Sequence, residues 1–274
     1  MTKNFTTDTA LNAQESTSKM RLSTSRANKR RPLAWTLLIF LSFGTRSVRS
    51  QQDQNPLTMN GGSVLAMAGK DCVALAVDKR FASGAQMVNI APRHVYVPSP
   101  ELMVAFTGLE GDVQSLSHSL EKQVASKLGR GLGFMNENRQ QRPVITPRAM
   151  ASLTSHVLYN RRQAPYYVEP LIVGLTTTTK TCPDGATPFL CSMDCIGAKS
   201  ISRAFVCAGA ASDSIFGTAE ALWKPDLEAD ELVEVCANAF LSALERDCLS
   251  GYGAMVYLIH RNGITEYDMA SRND

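Results

Sequence analysis

The stretch Thr58–Arg80, TMNGGSVLAMAGKDCVALAVDKR, decides how the rest of the chain is read. Two glycines, Gly61 and Gly62, precede a run from Ser63 to Met67 that alternates apolar and small side chains. After a turn at Gly69–Asp71, a second apolar run extends from Cys72 to Asp78. Period-two alternation bounded by glycine predicts two short strands joined by that turn. Val73–Val77 is apolar throughout, as is Leu171–Val173 further on, so both read as strands covered on two faces, between a sheet and its helices.

Outward from this opening, HVYVPSPELMVAFTG reads as two more strands around a Pro98–Pro100 turn. In EGDVQSLSHSLEKQVASKLG, Val113, Leu116, Leu120, Val124 and Leu128 recur at three and four residues, the spacing of one helix face. Thr146-Pro147 is an N-cap followed by a proline in the first turn, opening a helix that turns Met150, Leu153, Val157 and Leu158 inward. Strands return at 171–175, 188–197 and 204–211, with the polar TTTTKTCPDGAT between the first two as a solvated hairpin tip. Helices are predicted at Ser212–Trp223 and Asp230–Cys248, the latter with Leu232, Val235, Cys236, Ala239, Phe240 and Ala243 on one face. GAMVYLIH, the turn Arg261-Asn262-Gly263 and ITEYDMA close the chain as paired strands. Strands and helices that come in blocks argue against a βαβ parallel sheet. They predict an α+β fold, a four-layer αββα sandwich of two antiparallel sheets flanked by helix pairs. The glycine-rich Gly129–Gly133 run follows a helix with no strand before it, so it is neither a dinucleotide fingerprint nor a phosphate loop.

At 274 residues, 44% hydrophobic and 19% charged, the chain suits one globular domain with an appendage. The formal charge of +3 hides an asymmetry: residues 1–58 hold nine of the 28 basic residues and three of the 25 acids, leaving 19 bases against 22 acids in the body. That balance gives no electrostatic basis for nucleic-acid binding. The seven cysteines form no CxxC pair and no Cys/His cluster, so no metal or cofactor is expected. Cys72, Cys191 and Cys207 sit in apolar runs as small buried hydrophobes, which points to a reducing compartment.

Residues 1–58 stand outside the fold reasoning, and the domain is taken as 59–274. Lys29, Arg30 and Arg31 precede an apolar run from Leu33 to Phe43, too short for a membrane helix and of the length of a signal-peptide core. The same segment is rich in Ser, Thr and Arg and poor in acids, as transit peptides are. It is either a targeting leader or an extension upstream of a natural start at Met59.

NGGSVLAMAGKDCVALAVDKR, APYYVEPLIVGL, FGTAEALWKPDL, ERDCLSGYGAMVYLIH and the tail MASRND together resemble the β-type subunits of the proteasome, most closely their non-catalytic type-three class. The resemblance runs from about Asn60 to Asp274 in one register, and it implies the sandwich of N-terminal nucleophile hydrolases. Catalytic members of that family start the mature chain with a threonine, whose hydroxyl attacks a peptide carbonyl while its own α-amino group serves as base.

Counting back from Asp78, which matches the aspartate of the family's second strand, puts Gly62 at the threonine's place. Gly61 matches the glycine after which catalytic members are cut. The family's lysine falls at His94 and a serine near the amine falls at Ala210, whereas Asp78, Asp247 and Ser250 are of the expected type. A carboxylate or hydroxyl at these last three serves equally well as a turn or strand-end hydrogen-bonding group. The resemblance therefore implies a non-catalytic structural subunit of the core particle in ATP- and ubiquitin-dependent protein degradation. Its partners would be other β-type subunits of its ring, α-type subunits of the adjoining ring and β subunits of the opposite ring, in cytoplasm and nucleus.

The competing reading is an active hydrolase matured at Ser63 or Thr58. Thr58 stands four residues out of register with Asp78 and Asp247, and Ser63 stands one out, on the opposite strand face. A secreted or organellar form rests only on Leu33–Phe43.

Overall fold

The computed structural model describes residues 55–84, 86–91, 95–132, 145–177 and 186–271, with α1 side chains as far as Lys127. The strands are β1 (Ser63–Ala68), β2 (Val73–Asp78), β3 (Arg80–Ser83), β4 (Gln86–Ile90), β5 (Val95–Ser99), β6 (Leu102–Gly108), β7 (Val168–Thr177), β8 (Ala186–Met193), β9 (Lys199–Ser202), β10 (Phe205–Gly209), β11 (Ala254–His260) and β12 (Gly263–Met269). The helices are α1 (Glu110–Leu132), α2 (Pro147–Asn160), α3 (Ser212–Leu222) and α4 (Ala229–Leu244).

Two five-stranded antiparallel sheets carry the fold, one in the order β10-β1-β2-β11-β12 and the other β5-β6-β7-β8-β9. Alternation along each strand divides its side chains between two cores. From β1 and β2, Val64, Ala66, Val73, Leu75 and Val77 meet Met103, Ala105, Leu171 and Val173 of the second sheet. From the same strands Leu65, Met67, Ala74 and Ala76 point the other way, onto Ile215 of α3 and Leu232, Cys236 and Phe240 of α4. The outer face of the second sheet, with Leu102, Val104, Phe106 and Ile172, packs against Val113, Leu116 and Leu120 of α1 and Met150, Leu153 and Leu158 of α2. The expected four layers are therefore present, and β2 is buried at all six positions.

Local capping follows the predicted chemistry at Thr146, whose hydroxyl accepts the Ala149 N–H at 3.3 Å ahead of Pro147. Elsewhere the element bounds are corrected. The strand expected over 188–197 stops at Met193, because the Asp194 carboxylate accepts the Ile196 and Ala198 N–H groups at 3.1 and 2.7 Å and folds the chain into a turn before β9. The helix expected to reach Cys248 ends at Leu244. The closing hairpin turns on Arg261-Asn262, with Gly263 already paired to His260 as the first residue of β12. Helix α1 continues through Gly129 and Gly131 to Leu132, so most of the glycine-rich run is helix. The Leu128 side chain, Gly133 and the hairpin tip at 178–185 lie outside the described residues. The β3–β4 hairpin is an element that the sequence pattern did not announce, with β4 exposed at all five positions.

Candidate functional site

The chain enters β1 through a short turned segment. Thr58 donates from N and from Oγ1 to the Asn55 carbonyl at 2.9 and 3.2 Å, and the Gly61 N–H donates to the Thr58 carbonyl at 2.9 Å. Asn60 is buried and bonds in two directions: its Nδ2 donates to the Ala82 carbonyl at 2.8 Å and its Oδ1 accepts the Glu110 N–H at 3.0 Å. The neighbouring backbone adds Gly84 N–H to Met59 O at 2.7 Å and Ala82 N–H to Asn60 O at 3.3 Å. One asparagine thus ties the segment to β3 and to the first residue of α1.

Gly61 and Gly62 then turn through φ of +64° and +89°, a backbone region that side-chain-bearing L-residues rarely enter. A Cβ on Gly61 would stand 2.1 Å from the Leu249 carbonyl oxygen, which no residue but glycine tolerates. That same oxygen accepts the Gly62 N–H at 3.3 Å and Nη1 of the buried Arg80 at 2.9 Å. The Gly62 carbonyl in turn accepts the Ala210 N–H at 3.0 Å. Both backbone groups of Gly62 are therefore hydrogen-bonded.

The three polar candidates, Asp78, Asp247 and Ser250, meet at the 247–251 loop. Asp78, fully buried at the end of β2, accepts the Gly251 N–H on Oδ2 at 3.4 Å. Asp247 accepts the Leu249 N–H on Oδ1 at 3.1 Å. Ser250 Oγ lies 2.9 Å from Ser63 Oγ, which also accepts the Ala211 N–H at 2.9 Å just before α3. Ser63 shares the helix-facing side of β1 with Leu65 and Met67, the face opposite to Val64 and Ala66. The structure thus assembles Gly62, Asp78, Ala210, Asp247 and Ser250 around one loop, while His94 lies outside the described residues. Of the two alternative nucleophiles, Ser63 is enclosed and Thr58 is bonded back to Asn55.

Asn60 and Arg80 were not singled out from sequence. The available signal was a polar residue directly before the double glycine, and an arginine two residues past the end of a strand buried on both faces. Among the described residues no three His, Cys, Asp or Glu side chains come together as metal ligands. No helix among them is long and apolar enough to cross a membrane.

Residues 58–259 match the family described as "Proteasome subunit". The proteasome subunit beta type-3 of Drosophila melanogaster is 38% identical over 218 residues, which covers 80% of this chain and 98% of that protein. Proteasome subunit beta type-3 of Picea mariana is 38% identical over 217 residues, 78% of this chain and 97% of its own length. The subunit of that name from Saccharomyces cerevisiae is 34% identical over 221 residues, 80% and 99% respectively. With a family match over most of its length and relatives covered almost end to end, this chain belongs to the proteasome subunit family.

Proposed function

We propose that the chain is a non-catalytic, structural β subunit of the proteasome core particle, with Gly62 standing where catalytic members carry the nucleophilic threonine. The observation that carries this reading is the state of Gly62. It has no side chain, its amide is bonded to the Leu249 carbonyl, and a bonded segment precedes it. Nucleophilic catalysis of the threonine type needs a hydroxyl on the residue that supplies the free amine, and Gly62 has no side chain to carry one. Asp78, Asp247 and Ser250 hold the 247–251 loop in shape, which accounts for them without chemistry.

The subunit works in cytoplasm and nucleus. It contacts β-type neighbours in its ring, α-type subunits of the adjoining ring and β subunits of the opposite ring. The test is sedimentation of gentle lysates: the endogenous protein travels almost wholly with a large complex containing α-type and other β-type subunits. Recovery mainly as a free monomer overturns the reading. Sequencing of the mature N-terminus examines the hydrolase alternative, which requires Ser63 or Thr58 at position one.

A further inference from the structure

Two places in this chain carry asparagine directly before glycine, Asn60-Gly61 and Asn262-Gly263. Such a pair is chemically labile, because glycine has no side chain to shield its backbone nitrogen from the neighbouring carboxamide. The nitrogen gives its proton to hydroxide and attacks the asparagine Cγ. The new C–N bond closes a succinimide ring, the bond from Cγ to Nδ2 breaks, and ammonia leaves with a proton taken from water. Water then adds to either imide carbonyl and opens the ring, giving aspartate or isoaspartate. No oxidant, metal or enzyme is needed.

The fold treats the two pairs differently. Asn262 is exposed at the turn between β11 and β12. Asn60 is buried, and every group that the reaction would use is engaged elsewhere. The leaving nitrogen, Nδ2, donates to the Ala82 carbonyl of β3 at 2.8 Å, and Oδ1 accepts the Glu110 N–H of α1 at 3.0 Å. The attacking nitrogen of Gly61 donates to the Thr58 carbonyl at 2.9 Å. Ring closure has to break all three bonds, so the closed segment withholds both reactants. Nor is the pair easily replaced, since position 60 serves as donor and acceptor at once and position 61 needs φ of +64° and no Cβ. The geometry that protects this pair is the geometry that requires it.

We propose that Asn60-Gly61 is a latent site of self-modification, silent while the entry segment is closed and converted to aspartate or isoaspartate when the segment opens. Reclosure is then blocked. An aspartate presents an oxygen to the Ala82 carbonyl where the amide presented a donor, so two acceptors face each other in a buried seam. An isoaspartate puts an extra methylene into the main chain just before Gly61, where even a Cβ on that glycine would stand 2.1 Å from the Leu249 carbonyl oxygen. Either product records in covalent form that the chain has been open. The inference is independent of which subunits surround the chain.

The test takes the full chain purified from its native cells and incubates it in mildly alkaline heavy-oxygen water, with and without urea. Conversion during the incubation brings in the heavy oxygen, which separates it from conversion during later handling. Fragmentation of the two Asn-Gly peptides in a mass spectrometer then places the label, with exposed Asn262 as the reference. In urea both asparagines convert at comparable rates. Without urea Asn60 lags its own rate in urea by about tenfold or more, the protection expected of a buried, bonded segment. A second measurement follows hydrogen exchange in Asn60→Asp, where Ala82 and Gly84 exchange faster than in the parent chain. Equal conversion of Asn60 with and without urea, no conversion of Asn60 in urea, or parent-like exchange at Ala82 and Gly84 in Asn60→Asp would each overturn the inference.

Discussion

The hydroxyls of Ser63 and Ser250 meet at 2.9 Å across 187 residues of sequence, with both side chains buried. Ser63 Oγ also accepts the Ala211 N–H, so β1, the 247–251 loop and the start of α3 share one oxygen. Ser63→Ala strands a backbone N–H away from water and costs about 1–3 kcal/mol. At roughly 2–4 °C per kcal/mol for a domain of this size, the thermal midpoint of the variant falls measurably by calorimetry. Ser63→Thr, which keeps the oxygen and suits a strand, retains most of the stability. An unchanged midpoint for the alanine variant refutes the shared-oxygen account.

On the reading proposed for Gly62, a side chain supplied at that position does not by itself supply chemistry. Gly62→Thr places a β-branched residue at φ +89°, at a cost of about 1–3 kcal/mol, and leaves it without a free amine. In particles whose native active subunits are silenced, the single variant yields no new peptidase activity. Addition of His94→Lys, Ala210→Ser and an engineered terminal threonine yields at most a trace, because components of a cooperating site fail together. Robust cleavage by Gly62→Thr alone, read with a fluorogenic peptide, refutes the account of the site.

Asn60 anchors the entry segment, so its loss should be felt locally. Asn60→Ala removes the bond to the Ala82 carbonyl and the acceptor for the Glu110 N–H. Hydrogen exchange is expected to quicken at Ala82, Gly84 and Glu110 while the interior of β2 stays protected. Uniform acceleration across both sheets would show that Asn60 supports the whole fold rather than this seam.

The buried thiols set a pH limit. Complete burial pushes the Cys236 thiol up to about 12 and burial raises Cys191 to about 11, from an ordinary value of 9.0. Because the folded values are raised, the stabilisation is whole below pH 9 and drains away as pH climbs towards 11–12, where unfolded thiols are already ionised. The urea midpoint therefore falls between pH 9 and 11. At pH 8 iodoacetamide modifies exposed Cys248 and spares Cys191 and Cys236 until urea is added. Rapid native labelling of Cys236 contradicts this.

The helices were legible because burial imposes a period. Val113, Leu116, Leu120 and Val124 on α1, and Met150, Leu153, Val157 and Leu158 on α2, are buried as their spacing requires. The β3–β4 hairpin was not, since a strand exposed at every position has no face to alternate. At the site, the register from Asp78 brought Gly62 to notice, and a register is a linear property. Asn60 and Arg80 escaped because their worth lies in where Ala82, Glu110 and Leu249 come to rest, which no local pattern encodes.

The strand order also fixes a timetable for synthesis. In the first sheet Ser63 pairs with Gly209 and Asp78 with Ala254, so β1 and β2 wait for partners made far later. The second sheet, β5 to β9, lies wholly within that interval and pairs only with sequence neighbours. On a translating ribosome it has every partner it needs by Ser202, while the β1–β2 hairpin is left with two open edges. From Ser202 until β11 is made at Ala254, the second sheet stands complete while its apolar inner face is only partly covered by the first.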